Sequence, residues 1–224
     1  MTDRRETAKS YDAVADEYVA HIYGELEDKP LDRELLDRFA DAVRGQGPVC
    51  EIGCGPGQVA RYLHDRGVEM SGIDLSAGMV ERARRLNPGI EFRQGDMAAL
   101  EAPDGSWSAI VLFYSIIHIA RGEVVAVLRE LRRTLRPGGL LFLAFHIGNE
   151  TIHRDEWWGH AVSVDYLLFT TDEMTGYLRQ AGFEIEDVRE RDPYPDVEHP
   201  SRRSYMVARK PASARDGKEP PRHV

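Results

Sequence analysis

Short strand-like segments rich in apolar residues alternate along this chain with longer stretches whose apolar residues recur every third or fourth position. The runs fall at residues 49–52, 68–73, 90–92, 109–113 and 140–145, and each has the length of a strand rather than a helix. Residues 109–113 are apolar throughout, the pattern of a strand covered on both faces, as parallel sheets require. Between the runs the spacing turns helical. Tyr11, Val14, Tyr18 and Ile22 predict one amphipathic helix over residues 6–23, and Leu31, Leu35, Phe39 and Val43 a second over 31–43, capped by Gly45. Val59, Tyr62 and Leu63 predict a helix from Gln58, stopped by Gly67, and Ser76 is the N-cap of a helix facing inward with Met79, Ala83 and Leu86. Val124, Leu128, Leu131 and Leu135 share a face over residues 123–135, and the capping box Thr170/Glu173 opens a helix carrying Met174, Tyr177 and Leu178. Two last strands are expected at 183–188 and 204–208, around a connection containing Pro193, Pro195 and Pro200. Strand and helix therefore alternate through one α/β domain.

Two stretches break this alternation. Residues 149–170 are longer than most connections in compact domains and rich in His, Trp and Tyr, so they read as a functional loop. Residues 211–224, rich in Pro, Ala and charge, read as a disordered tail.

Candidate chemistry centres on Val49-Cys50-Glu51-Ile52-Gly53-Cys54-Gly55-Pro56-Gly57-Gln58, where the first apolar run meets three glycines and then a helix. Glycine is required there if the backbone turns tightly, admits a ligand closely and packs helix on strand. The helix N-terminus would then point free N–H groups into the gap. Twenty-one residues after Gly53, at the end of the second run, Asp74 stands where a carboxylate meets a ribose diol. Glu51, two residues before the first glycine, suits a ligand amine.

The Glu-x-Gly-x-Gly-x-Gly pattern of Glu51, Gly53, Gly55 and Gly57 resembles motif I of the class I S-adenosylmethionine-dependent methyltransferases of small molecules. Tyr11-Asp12-Ala13-Val14-Ala15-Asp16-Glu17-Tyr18 is similar to the Tyr-Asp-x-x-Ala-x-x-Tyr signature preceding that motif, Gly95-Asp96-Met97 to the family's next turn, and Arg136-Pro137-Gly138-Gly139 to its turn before a hydrophobic strand. The resemblance implies a Rossmann-like, doubly wound, seven-stranded sheet, mostly parallel with the last strand antiparallel and helices on both faces. It implies S-adenosylmethionine as cofactor, with Tyr11 and Tyr18 closing the pocket, Asp96 at the adenine amino group, and Leu75, Met79, Met97 and Phe113 beside it. Residues 1–45 would cap the site, 46–210 form the binding core, and 149–170 meet the substrate. Ser108, where many members carry an acid, departs from the pattern.

Methyl transfer needs alignment, and a general base only if the nucleophile arrives protonated. His118 follows the fourth strand in Phe113-Tyr114-Ser115-Ile116-Ile117-His118, a segment similar to that of sugar N-methyltransferases, and His146 ends the fifth; both are candidates for base or substrate contact. Tyr114, Trp157 and Trp158, with Tyr166 and Phe169, would line an aromatic acceptor pocket. His146, His153 and His160 recur every seven residues, but loop histidines are more often hydrogen-bonded or exposed, and no metal is expected.

A net charge of −9 over 224 residues argues against a nucleic acid partner and favours a small, neutral or cationic acceptor. No apolar run approaches membrane-spanning length, residues 1–12 lack the apolar core of a signal peptide, and Cys50 and Cys54 fit neither a disulfide framework nor a closed zinc site. A cytoplasmic monomer or homodimer without membrane contact is expected, both cysteines being reduced. Two other functions compete: an NAD(P)-dependent oxidoreductase, disfavoured by the G-x-G-x-G spacing, and a non-catalytic S-adenosylmethionine-binding protein, since a fold does not fix a function.

Overall fold

A computed structural model describes residues 2–212; the expected tail lies almost entirely outside them. The chain runs α1 (Arg4–Ala13), α2 (Ala15–Ile22), α3 (Pro30–Val43), β1 (Val49–Ile52), α4 (Gln58–His64), β2 (Met70–Asp74), α5 (Ala77–Leu86), β3 (Glu91–Gln94) and β4 (Trp107–Phe113). It continues through α6 (Arg121–Thr134), β5 (Leu135–His146), β6 (Thr151–Trp157), β7 (His160–Leu167), α7 (Thr171–Gln180), β8 (Glu184–Arg191) and β9 (Arg203–Arg209). Seven strands form one sheet in the order β3-β2-β1-β4-β5-β9-β8. The first five strands of that order are parallel, and β9 enters antiparallel between β5 and β8, as expected.

Alternate residues of the central strands face opposite sides, and both sides are buried. Cys50, Ile52, Ile110, Leu112, Leu141 and Leu143 meet α6 and α7 through Val124, Leu128, Leu131, Met174 and Leu178. Val49, Ala109, Val111 and Phe142 meet α3, α4 and α5 through Leu36, Phe39, Val59, Leu63 and Val80. With both faces covered, a ligand has room only at the strand ends.

Three expectations change. The single helix over 6–23 is two, broken at Val14, whose buried side chain packs with Val162 and Val164 of β7. Just before the break, Asp12 Oδ1 accepts from Gly78 N–H (2.7 Å) and Ser76 Oγ–H (2.5 Å), clamping α1 onto the start of α5. The fifth strand begins at Leu135 rather than Leu140; its pairing with β4 shifts register between Trp107 and Ala109, which accommodates Arg136–Gly139. Residues 149–170 are not a loop but the antiparallel hairpin β6–β7, a two-stranded sheet apart from the main one. Its two-residue turn, Trp158-Gly159, has positive φ at both positions (51° and 81°), matching a type I′ hairpin turn.

Candidate active site

The three glycines of the first turn have positive φ but different surroundings. A Cβ on Gly53 would strike Ser115, whose Oγ donates to the Ile52 carbonyl (2.7 Å) and ties the end of β4 to β1. A Cβ on Gly57 would lie 2.7 Å from Phe92 Cζ and 2.8 Å from Asn87 Nδ2, so this glycine lets α4 pack closely. Gly55 alone opens onto space, its nearest neighbour being the Tyr18 ring at 3.8 Å. Asp74 holds the turn from β2: Gly55 N–H donates to Oδ2 (2.7 Å) and Ser76 N–H to Oδ1 (2.8 Å). The start of α4 is less open than expected, because Ala60 N–H already donates to Glu51 Oε2 (2.8 Å) and Gly57 N–H to the Cys54 carbonyl (2.9 Å).

Above this turn lies a cavity of about 560 Å³, within the range of small-molecule sites. Its floor includes Glu51, Gly53, Gly55 and Asp74, with Leu75, Met79, Asp96, Met97 and Phe113 along one side. Tyr11 and Tyr18 descend from the helices above; Tyr114, His118, His146 and Trp157 complete the set expected there. Gly57, Trp158 and Phe169 do not line the cavity. Gly57 lies behind the turn, Phe169 is buried in the main core, and Trp158 stacks outward on Trp157 (4.6 Å) and His21 (4.9 Å). The roof is held shut by packing between α1 and β7: Ser163 N–H donates to Ser10 Oγ (2.9 Å), whose hydroxyl donates back to the Ser163 carbonyl (3.2 Å).

Burial pushes the Glu51 carboxyl well above the ordinary carboxylate range, and the charges of Asp74 and Glu25 push it the same way, against the Ala60 N–H. Burial also raises Asp74, opposed by the Ser76 and Gly55 N–H groups. The floor of the cavity therefore favours a ligand that brings positive charge or hydrogen-bond donors. Cys50 and Cys54 are free and buried, and burial pushes the Cys50 thiol up to about 12, so both remain protonated and inert.

His146, His153 and His160 do not come together. His118 lies between Tyr11 Oη (2.9 Å from Nε2) and the Asp165 carbonyl (3.0 Å from Nδ1). His146 meets Ser201 Oγ (2.8 Å), His153 meets Asp165 Oδ1 (2.7 Å), and His160 is exposed. Among the described residues, no group of three or more His, Cys, Asp or Glu is arranged to hold a metal. Burial lowers His118 to about 4 and His146 to about 3, the latter with help from Arg203 and His199. A depressed histidine stays neutral in the fold while the unfolded chain takes up a proton, so its stabilising effect is lost as pH falls below about 6.5. The raised acids Glu51 and Asp74 act in the opposite direction, so a difference measurement isolates the histidine. Between pH 7.5 and pH 5, wild type should lose about 2 kcal/mol of unfolding free energy relative to His118→Asn. Urea unfolding at both pH values measures this; a pH-independent difference would mean that His118 titrates normally.

Several cavity residues carried no sequence signal. Lys29, almost fully buried, lies 2.5 Å from Glu25 and 3.6 Å from Glu198, and Arg203 Nε is 3.2 Å from Glu198. These charges come from a turn after α2, from the proline-containing connection and from β9, and only the folded chain joins them. Arg154, from the hairpin, lines the cavity as well, beside Tyr166, which the sequence had singled out.

A glycine turn beneath one cavity, at the carboxyl ends of parallel strands and with an acid ending the second strand, defines a cofactor site of the nucleotide-binding α/β type. Residues 49–139 match the family described as Methyltransferase domain. The chain is 30% identical over 216 residues to the 27-O-demethylrifamycin SV methyltransferase of Amycolatopsis mediterranei, covering 84% of this chain and 77% of that one. It is 30% identical over 149 residues to the malonyl-[acyl-carrier protein] O-methyltransferase of Enterobacter lignolyticus, covering 62% of this chain and 53% of the relative. Two further curated relatives are each covered to 58% of their length, so the chain spans little more than half of these proteins. Among solved structures, the DhpI–SAH complex superposes with a TM-score of 0.74 at 24% identity, over 93% of this chain and 97% of that one. The chain belongs to the class I S-adenosylmethionine-dependent methyltransferases.

The residues present fit that family's cofactor. Gly55 leaves open space in the cavity, Gln58 Oε1 is buried without a hydrogen-bond partner among the described residues, and three carboxylates, Glu51, Asp74 and Asp96, border the same region. Hydroxyls, amines and a positive sulfonium are the groups such a lining accepts. Among the described residues no helix is long and apolar enough to cross a membrane.

Proposed function

We propose that this chain transfers a methyl group from S-adenosylmethionine to a small acceptor that is aromatic or otherwise hydrophobic. The observation that carries this reading is that the glycine turn and Asp74 share one cavity with the aromatic side chains of Tyr11, Tyr18, Trp157 and Tyr166. The cofactor, when bound, supplies a methyl group already activated by its sulfonium. The chain's task is then to orient two molecules and exclude water. Asp74 would take the ribose hydroxyls, Glu51 the amino group of the amino-acid end and Asp96 the adenine amine. Residues 1–45 would serve as the cap, 46–210 as the binding core, and the hairpin within 149–170 as the acceptor-facing part. The relatives are named for different substrates, a carrier-bound malonyl group and 27-O-demethylrifamycin SV, and so support no single acceptor.

S-Adenosylhomocysteine should raise the melting temperature while NAD and NADP leave it unchanged, because only a ligand selective for the native state stabilises it by mass action. A shift with NAD instead would favour the oxidoreductase. Asp74→Ala should weaken S-adenosylhomocysteine binding by about 1.5–3 kcal/mol in calorimetry, the scale of a hydrogen bond to a charged group. Unchanged affinity would remove Asp74 from the ligand.

A further inference from the structure

We propose, resting on the methyl-transfer reading, that Tyr11 takes the proton of an O–H or N–H acceptor, that His118 receives Tyr11's own proton, and that the Tyr166 hydroxyl holds the acceptor. The polarity of one hydrogen-bond chain leads to this. The Asp165 carbonyl can only accept, so the proton of the neutral His118 ring sits on Nδ1, 3.0 Å away. Nε2 is left with a lone pair, and Tyr11 Oη, 2.9 Å from it, must be the donor. With its proton committed, the Tyr11 oxygen offers only lone pairs to the cavity it lines. A ligand group meeting that oxygen must bring a hydrogen.

Tyr166 supplies the second observation. Its hydroxyl is buried and has no well-formed hydrogen bond among the described residues, although it lies close enough to Tyr11 to help raise that phenol. Its ring stands edge-on to His118 (5.2 Å) and Trp157 (6.0 Å), on the wall of the same cavity. Burying a hydroxyl without a partner is unfavourable, and a ligand that pairs with it removes that cost. The other charged groups facing the pair are Arg154 from β6 and Asp165 from β7, whose carboxylate accepts from His153 and from the Thr2 N–H. Asp74, across the cavity, already holds two backbone N–H groups.

The step balances. The electron pair of the acceptor's X–H bond forms the bond to the methyl carbon, and the pair of the broken S–C bond stays with sulfur. The acceptor's proton goes to Tyr11 Oη as Tyr11's proton moves to His118 Nε2, which becomes imidazolium. One positive charge disappears at sulfur as another appears on the ring, so the buried site keeps its net charge. Tyr11 is the catalytic residue of the pair, and His118 acts through it. Edge and face contacts from Tyr11, Trp157 and Tyr166 match a flat aromatic acceptor bearing the X–H group.

The test uses the whole protein saturated with S-adenosylhomocysteine, into which 2-naphthol or its methyl ether is titrated by calorimetry, while NMR follows the His118 ring nitrogens. Wild type should bind the naphthol about tenfold more tightly than the ether, the worth of one hydrogen bond. With each variant kept saturated with S-adenosylhomocysteine, Tyr11→Phe and Tyr166→Phe should each abolish most of that preference, and the NMR should show the proton on Nδ1. A merely structural Tyr11–His118 bond would leave the naphthol preference intact in Tyr11→Phe. Failure of naphthol to bind, equal binding of the two probes, a preference that survives both substitutions, or a proton on Nε2 would overturn the proposal. Failure of wild type to bind S-adenosylhomocysteine would instead count against the methyl-transfer reading itself.

Discussion

Gly57→Ala is expected to lose about 2–5 kcal/mol of stability, while Gly55→Ala is expected to lose affinity for S-adenosylhomocysteine and only about 1–2 kcal/mol of stability. The two positions share a left-handed backbone, which alone costs an added Cβ about 1–2 kcal/mol. They differ in what that Cβ meets. At position 57 it presses into the Phe92 ring and the Asn87 amide, and Asn87 cannot retreat easily because its Nδ2 donates to the Pro56 and Ala83 carbonyls (2.9 Å each). Overpacking of this kind adds about 1–3 kcal/mol. At position 55 the added methyl enters the cavity and takes room from the ligand, which should reduce affinity about tenfold or more. Thermal unfolding of both variants, with and without S-adenosylhomocysteine, separates the effects. For a domain of this size, each kcal/mol is worth about 2–4 °C in Tm. If Gly55→Ala binds normally, the cofactor does not approach the turn there.

The glycine turn was legible because it is local: an apolar run, three glycines and a helical period are all visible within a dozen residues. The mostly parallel sheet with its antiparallel last strand followed from the family resemblance, and Asp74 from its place at the end of the second run. The hairpin was hidden by its turn. A type I′ turn usually announces itself as Asn-Gly or Asp-Gly, whereas Trp158 takes the first left-handed position here, held by stacking on Trp157 and His21. The break at Val14 was equally silent, since no Pro or Gly marks it and its cause is packing against β7, about 150 residues away. The pairing of Tyr11 with His118 is of the same kind: the two lie 107 positions apart, and no spacing rule connects them.

Asp32→Ala should cost about 3–5 kcal/mol, the usual result of removing one partner from a buried ion pair. Asp32, on α3, is fully buried; it accepts from Arg191 Nη2 (2.8 Å) and from the Tyr205 hydroxyl (2.8 Å), which in turn meets the Tyr114 hydroxyl at 2.9 Å. Since Tyr205 gives its proton to Asp32, Tyr114 must donate to Tyr205. Arg191 also pairs with Glu198, whose carboxylate holds Arg203 and Lys29 beside the cavity. Loss of Asp32 leaves the largely buried Arg191 guanidinium with Glu198 as its remaining carboxylate partner, and loosens the cavity wall as well as the core. Urea unfolding should show the loss, and the double variant Asp32→Leu/Arg191→Met should recover much of it, because an apolar pair leaves no charge uncompensated. A single variant within about 1 kcal/mol of wild type would mean that water reaches Arg191 and screens it.

The hairpin pairs with no strand of the main sheet, and its register closes within its own two strands. Changes in its length or side chains therefore need not propagate into the strands that carry Glu51 and Asp74. Evolution can redraw the hairpin's wall of the cavity while the glycine turn stays as it is. One turn can in this way serve a series of related enzymes that share a methyl donor and differ in their acceptors.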